Sequence, residues 1–186
     1  ILQLGSKEVD YTKQSLQHAT LVGSQAAADV LNTNVLNKRA IDELIMRPWH
    51  DSNFSDRIWK NKAQLINSLK TELTNGIIQG KSNYEVANTI DGRLDVGRGQ
   101  TQRLVRTEYM HALNQGQIES YRAKGYTKLK WLATMDDKTS KICRKLNRKE
   151  FDIENLPDLP AHPTCRCTMV PVIDMAAAEQ RGDEIR

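Results

Sequence analysis

The chain has 186 residues, a hydrophobic share of 39%, an aromatic share of 5% and a formal net charge of +4. Its mean hydropathy is −0.60. That length suits one large domain or two small ones with a modest core, and without a long apolar run it excludes a transmembrane helix and gives no reason to expect a membrane partner. No charged, apolar, small-residue leader opens the sequence, which begins at Ile1 and not at Met, as a trimmed or processed product would.

Residues 1–35 are rich in Gln, Ala, Asn, Ser and Thr, with Leu16, Ala19, Val22, Ala26 and Val30 at helical spacing. Such small side chains bury little area, so this helix is expected to need a partner or copies of itself. A second helix is predicted from Val35 to Met46, ended by Pro48. A third starts with Ser55 as N-cap, carries Ile58, Leu65, Leu69, Leu73 and Ile77 as its apolar stripe, and stops at Gly80. Ser82 and Glu85 fit a capping box for a short helix to Ile90, which Gly92, Gly97 and Gly99 should break. Another helix is expected from Thr101 to Lys124, closed by Gly125. Beyond it the period changes. Leu129, Trp131 and Ala133 alternate with Lys128, Lys130 and Leu132, as in a strand. Thr139 is a candidate N-cap for a short helix, residues 151–167 read as a proline-rich loop, and "CTMVPVI" reads as an edge strand because of Pro171. The expected fold is α+β and predominantly helical: a helical segment 1–47, extended or partner-dependent, a helical lead-in 48–125, a small α+β module 126–174 with a Cys/His/Pro-rich loop, and a helical or frayed tail 175–186.

Three features carry candidate chemistry. Lys and Arg cluster at 98–106, 122–130 and 138–149, which makes Arg98, Arg103, Lys124, Lys128, Lys130, Arg144, Lys145 and Arg148 candidates for phosphate contacts with DNA; a solvated basic face is the bland alternative. On "RLVRTEYMHALNQGQ", Arg106, Glu108 and His111, with Asp137 from the module, form a candidate structural cluster, read as a buried ion pair docking helix to module. The chemical alternative is a nuclease or toxin-related hydrolase using Glu108, His111, Asp137 and His162, but no P-loop, dinucleotide fingerprint or HExxH supports one.

The third feature is the set Cys143, His162, Cys165 and Cys167, spaced C-x18-H-x2-C-x-C. Three thiols and an imidazole suit a closed tetrahedral zinc site, a structural cofactor that would order a small, aromatic-poor module. A usual C-x2-C knuckle is absent, since Ser140 stands three residues before Cys143. Buried reduced thiols beside a satisfied histidine, or a disulfide from Cys143 to Cys165 or Cys167, are the other readings. The odd cysteine count points to a reducing compartment. A catalytic thiol lacks a histidine base in the required arrangement.

"VRTEYMHALNQGQ", "KLKWLATMDDKTSKICRKLNRKEFD" and "LPDLPAHPTCRCTMVPV" together resemble the phage Mu F-like head morphogenesis proteins, also called minor head or minor capsid proteins. Arg106, Thr107, Glu108, Trp131, Asp137, Thr139, Cys143, His162, Pro163, Cys165, Arg166, Cys167 and Pro171 match that pattern in order, over about residues 48–173. Ser140 departs from it, standing where the family often has a cysteine. The resemblance implies a non-enzymatic protein of the virion or procapsid interior, made in the bacterial host cytoplasm. Its implied partners are the portal protein, scaffold or capsid proteins and double-stranded DNA, during packaging or ejection. Some relatives carry a toxin or ADP-ribosyltransferase domain after this module, and none is expected in the few residues that follow Pro171.

Overall fold

The computed structural model describes residues 2–31 and 33–173. The Ile77 side chain and the tail from Asp174, expected to be helical or frayed, lie outside what is described. Elements follow in the order α1 (Leu2–Leu31), α2 (Lys38–Met46), α3 (Phe54–Ile78), α4 (Asn83–Ala123), β1 (Lys128–Leu132), α5 (Lys141–Leu146), β2 (Glu150–Asp152) and β3 (Thr168–Pro171). This is the expected mostly helical α+β arrangement. The described residues gather into two compact units, one of 2–13 with 48–106, the other of 14–31 and 33–47 with 107–173. Each unit therefore draws on more than one of the linear stretches read from the sequence.

In the first unit, α3 is started by a reciprocal cap. The Asp56 N–H donates to Asn53 Oδ1 at 3.1 Å and the Asn53 N–H to Asp56 Oδ2 at 3.4 Å. Asn53 thus takes the capping place expected of Ser55, because only from Asn53 does Asp56 stand at the reciprocating position. The turn just before it has His50 and Asp51 at positive φ, and Arg57 donates to Ser52 O at 2.9 Å while its guanidinium lies 4.7 Å from the centre of the Trp49 ring. Gly80, at φ 64°, ends α3 as expected. The Ser82–Glu85 capping box forms, with the Ser82 N–H on Glu85 Oε2 at 2.9 Å and the Glu85 N–H on Ser82 Oγ at 3.3 Å. Leu73 belongs to the predicted apolar stripe of α3 yet is 45% exposed.

The largest departure is α4, which runs unbroken for 41 residues through Gly92, Gly97 and Gly99. A glycine inside a helix costs about 1 kcal/mol relative to alanine. That is too little to stop a helix capped at one end and buried along the other. Gly125, at φ 84°, closes it: the Tyr126 N–H reaches Tyr121 O at 3.1 Å, the Gly125 N–H reaches Arg122 O at 3.0 Å, and the two tyrosine rings meet edge to face.

The second unit contains the main core. Helix α2 begins at Lys38, later than the expected Val35, because Asn37 accepts the Ala40 N–H at 3.0 Å and sets the start. Helix α1 buries Leu16, Ala19, Thr20, Ser24, Ala27, Ala28 and Leu31, whereas Val22 and Val30 of the predicted stripe are exposed and Ala26 is exposed with them. Size decides the face. A Cβ on Gly23 would stand 2.0 Å from Leu113 O, and one on Gly116 would stand 2.2 Å from Thr20 O. The two backbones therefore touch where α1 crosses α4. Ser120 Oγ lies 3.1 Å from Ser24 Oγ, which also accepts the Leu36 N–H at 2.8 Å. The helix of small residues finds its partner within its own chain.

The sheet is antiparallel in the order β2-β1-β3. Leu129 and Trp131 turn inward as the alternation predicts, onto Ala27, Leu31, Ile118, Tyr121, Tyr126 and Met169. Strand β2 occupies residues expected to be loop, pairing Leu129 with Phe151. Strand β3 is an edge, as Pro171 requires, with Pro171 opposite Leu129.

Two alanine substitutions separate the roles of glycine. Gly116→Ala drives a methyl into backbone and should lower stability by roughly 3 kcal/mol. Gly92→Ala meets nothing within 4 Å and should raise it by about 0.5–1 kcal/mol. Urea denaturation of both variants checks the pair, and equal effects would contradict the backbone crossing.

Candidate functional site

One face of α4 carries four polar side chains at helical spacing, Thr107, His111, Asn114 and Gln117, and each bonds the chain between Leu159 and Thr168. Thr107 Oγ1 accepts the Thr164 N–H at 3.1 Å. His111 Nδ1 stands 2.8 Å from Leu159 O. Asn114 Nδ2 donates to Cys167 O at 3.3 Å and to Met110 O at 2.7 Å. Thr168 Oγ1 donates to Gln117 Oε1 at 2.9 Å. Asn114 is buried and uses its carboxamide only as a donor, its Oδ1 having no hydrogen-bond partner among the described residues.

This stripe differs from the expected cluster. Glu108 is buried and His111 half-buried, but Arg106 and Asp137 are exposed. The helix reaches the loop backbone through Thr107, His111 and Asn114 and, further along, through Arg122, which donates to Ile153 O at 3.3 Å and pairs with Glu154 at 3.2 Å. Asn114 and Gln117 escaped notice because polar residues with an i, i+3, i+4 period look like a solvated face. Their signal is a polar stripe on the same helix as the buried Ala112, Ile118 and Tyr121.

The acid that matters in the following turn is Asp136, not its neighbour Asp137. Asp136 Oδ1 accepts from Arg166 Nη2 at 2.6 Å and from the Lys138 N–H at 2.9 Å. The Arg166 guanidinium, first among its causes, holds the Asp136 carboxyl well below the usual carboxylate range. Arg144 donates to Asp136 O at 2.5 Å and to Thr139 O at 3.1 Å. Thr139 serves this turn, accepting the Asp136 N–H at 2.7 Å. It is Ser140, not Thr139, that caps α5, accepting the Cys143 N–H at 3.1 Å. Position 140 is set by the need of α5 for an N-cap.

The three cysteines are buried free thiols within the core. Their sulfurs lie within 4.8 Å of one another, close enough to hold a metal ion, and Cys143 Sγ stands 3.6 Å from Cys165 Sγ and 3.2 Å from His162 Nε2. A turn brings them together: the Cys165 N–H bonds His162 O at 3.1 Å, with Pro163 second and Thr164 third at φ 61°. Burial opposes ionisation of Cys143, but hydrogen bonds from Ser140, Cys167, Cys165 and His162 outweigh it and hold that thiol below its ordinary value. Burial, with the other two sulfurs, pushes Cys167 up.

The basic candidates are dispersed. Arg98 is exposed and pairs with Asp95 at 2.8 Å, and Arg103 is exposed. Lys124 is half-buried. Lys128 stands opposite Asp152 on the sheet, and Lys130 opposite Glu150, which it meets at 3.1 Å. Lys145 and Arg148 are exposed around the end of α5. Arg144 is engaged in the Asp136 turn.

Residues 67–170, more than half of the chain, match the family described as Phage Mu protein F like protein. The chain belongs to that family. The Mu F-like match takes in α4, β1, β2, β3 as far as Val170, all three thiols and His162. The NAD(+)--arginine ADP-ribosyltransferase EFV of Enterococcus faecalis is 29% identical over 212 aligned residues, which include 98% of this chain and 43% of the relative. The chain thus spans less than half the length of that relative. No solved structure matches. Among the described residues no helix is long and apolar enough to cross a membrane.

Because the Asp136 carboxyl is depressed in the folded state, its contribution to stability is present above the ordinary carboxylate value of 3.8 and lost as pH falls below it. Asp136→Asn should therefore lower the melting temperature at pH 7 and lower it less near pH 2. Thermal scans of both proteins across that range check the sign, and a gap that widens in acid would contradict it.

Proposed function

We propose that this chain is a minor head protein of a tailed phage or prophage, acting in head morphogenesis without enzymatic activity. In this reading it associates with the portal vertex, works among scaffold and capsid proteins in the procapsid interior, and lies beside packaged DNA. The observation that carries it is the family match over residues 67–170. The geometry supports a structural part for the residues offered to a hydrolase: His111 bonds Leu159 O and His162 faces Cys143, while Asp137 is exposed. The two histidines are engaged within the fold. Arg98, Lys130 and Arg144 are engaged within the chain, so contact with DNA should be weak, directed to phosphates and blind to sequence.

Co-expression with the portal protein of the same phage, followed by size-exclusion chromatography and blotting of purified procapsids, tests this reading. Co-elution and presence in procapsids are expected, and absence from both overturns it. DNA retention should fall as salt rises. The likeness to an arginine ADP-ribosyltransferase gives the opposing outcome a concrete form. Incubation with labelled NAD and an arginine-containing acceptor should transfer no label, and transfer abolished by denaturing the protein would replace the non-enzymatic reading.

A further inference from the structure

We propose that Cys143, Cys165, Cys167 and His162 bind one zinc ion as a closed, four-coordinate structural site. The donor set is the first reason. Three thiols and an imidazole make a complete tetrahedral set with no place left for water. The distances are the second. Tetrahedral zinc at about 2.3 Å from sulfur sets its ligand atoms roughly 3.5–3.8 Å apart. Cys143 Sγ and Cys165 Sγ are already 3.6 Å apart, Cys143 Sγ and His162 Nε2 are 3.2 Å apart, and the three sulfurs lie within 4.8 Å. The three sulfurs need only small shifts to close on the ion, and His162, outside that set of three, enters from its contact with Cys143.

The third reason is the histidine tautomer. His162 Nδ1 lies 2.9 Å from Pro163 O. A carbonyl only accepts, so Nδ1 carries the proton, and Nε2 is the nitrogen left to ligate a metal when the ring is neutral. Zinc-binding histidines are held in this way, by an outer bond from the second ring nitrogen to a carbonyl or carboxylate. The surroundings complete the case. Thr107 and Asn114 fix Thr164 and Cys167 from α4, so the ligands on the loop are positioned by a rigid helix. Binding releases the thiol protons to solvent and leaves three thiolates and a neutral imidazole around a dication, one net negative charge. Arg166, between two of the ligands and paired with Asp136, supplies the nearby positive charge.

Ser140 is the informative neighbour. It sits three residues before a ligand, where a knuckle would place a second thiol, but its hydroxyl caps α5 through the Cys143 N–H. The set of four is complete without it. The inference holds whether or not the portal association does, because it concerns what closes the 159–167 loop.

Metal analysis of the whole chain, purified under reducing conditions and reconstituted with zinc, tests it. About one zinc per chain is expected, and replacing zinc with cobalt(II) should give the strong visible bands of a tetrahedral thiolate site. Zinc affinity should fall more than about tenfold in Cys167→Ser and in His162→Ala, while Ser140→Ala keeps the stoichiometry and loses only thermal stability. Chelation should lower the melting temperature of the unaltered protein, a readout that needs no variant to fold. Zinc-free protein with three titratable thiols after reconstitution would overturn the site. Unchanged zinc affinity in His162→Ala would overturn the four-ligand set.

Discussion

The second unit depends on side chains of α4 acting as hydrogen-bond partners for a strand-poor loop. Residues 153–167 contain too few regular elements to satisfy their own backbone, and buried backbone groups without partners cost free energy comparable to a lost hydrogen bond. Thr107, His111 and Asn114 provide missing partners from a rigid rod, and Gln117 holds the Thr168 hydroxyl just beyond. The loop can then run past the core and deliver Cys165 and Cys167 into it. Without those bonds the thiols have no fixed relation to Cys143, which arrives on a different element.

The rod is held in turn by its crossing with α1. Large apolar side chains would separate the helix axes; Gly23, Gly116, Ser24 and Ser120 let the backbones meet. The contact trades hydrophobic area for van der Waals closeness and a few buried hydrogen bonds. This helps a chain with 5% aromatic residues to close a core: Trp131, Tyr121 and Tyr126 serve the core under the sheet, Phe54 is buried on α3, and the α1–α4 crossing is made of small residues.

Much of this was legible in residue order. Local signals with local causes held: the Ser82–Glu85 box, the stops at Gly80 and Gly125, the inward turn of Leu129 and Trp131, the edge position of Pro171, and the ordered motif that placed the chain in its family. What escaped shares one physical character. Gly92, Gly97 and Gly99 looked like breaks because propensity is local, whereas the cost of a helical glycine is set against burial tens of residues away. Val22 and Val30 looked buried because hydropathy ranks them above serine and glycine, yet a backbone-to-backbone crossing selects small volume. Arg106, Glu108, His111 and Asp137 looked like the docking cluster because charge is conspicuous, yet Arg106 and Asp137 are exposed, and a charged contact from α4 to the loop comes from Arg122, on Ile153 O and Glu154. Ser140 and Thr139 differ by one position, and only the helix start decides which hydroxyl caps α5.

The outer face of the small sheet has a consequence of its own. Lys128 and Lys130 alternate with the inward residues of β1 and stand opposite Asp152 and Glu150 of β2, so each cation on that surface has an anion one strand spacing away. Beyond a few ångströms such paired charges cancel. At longer range that face therefore presents neither sign of charge, and the basic balance of the chain has to be expressed elsewhere on its surface.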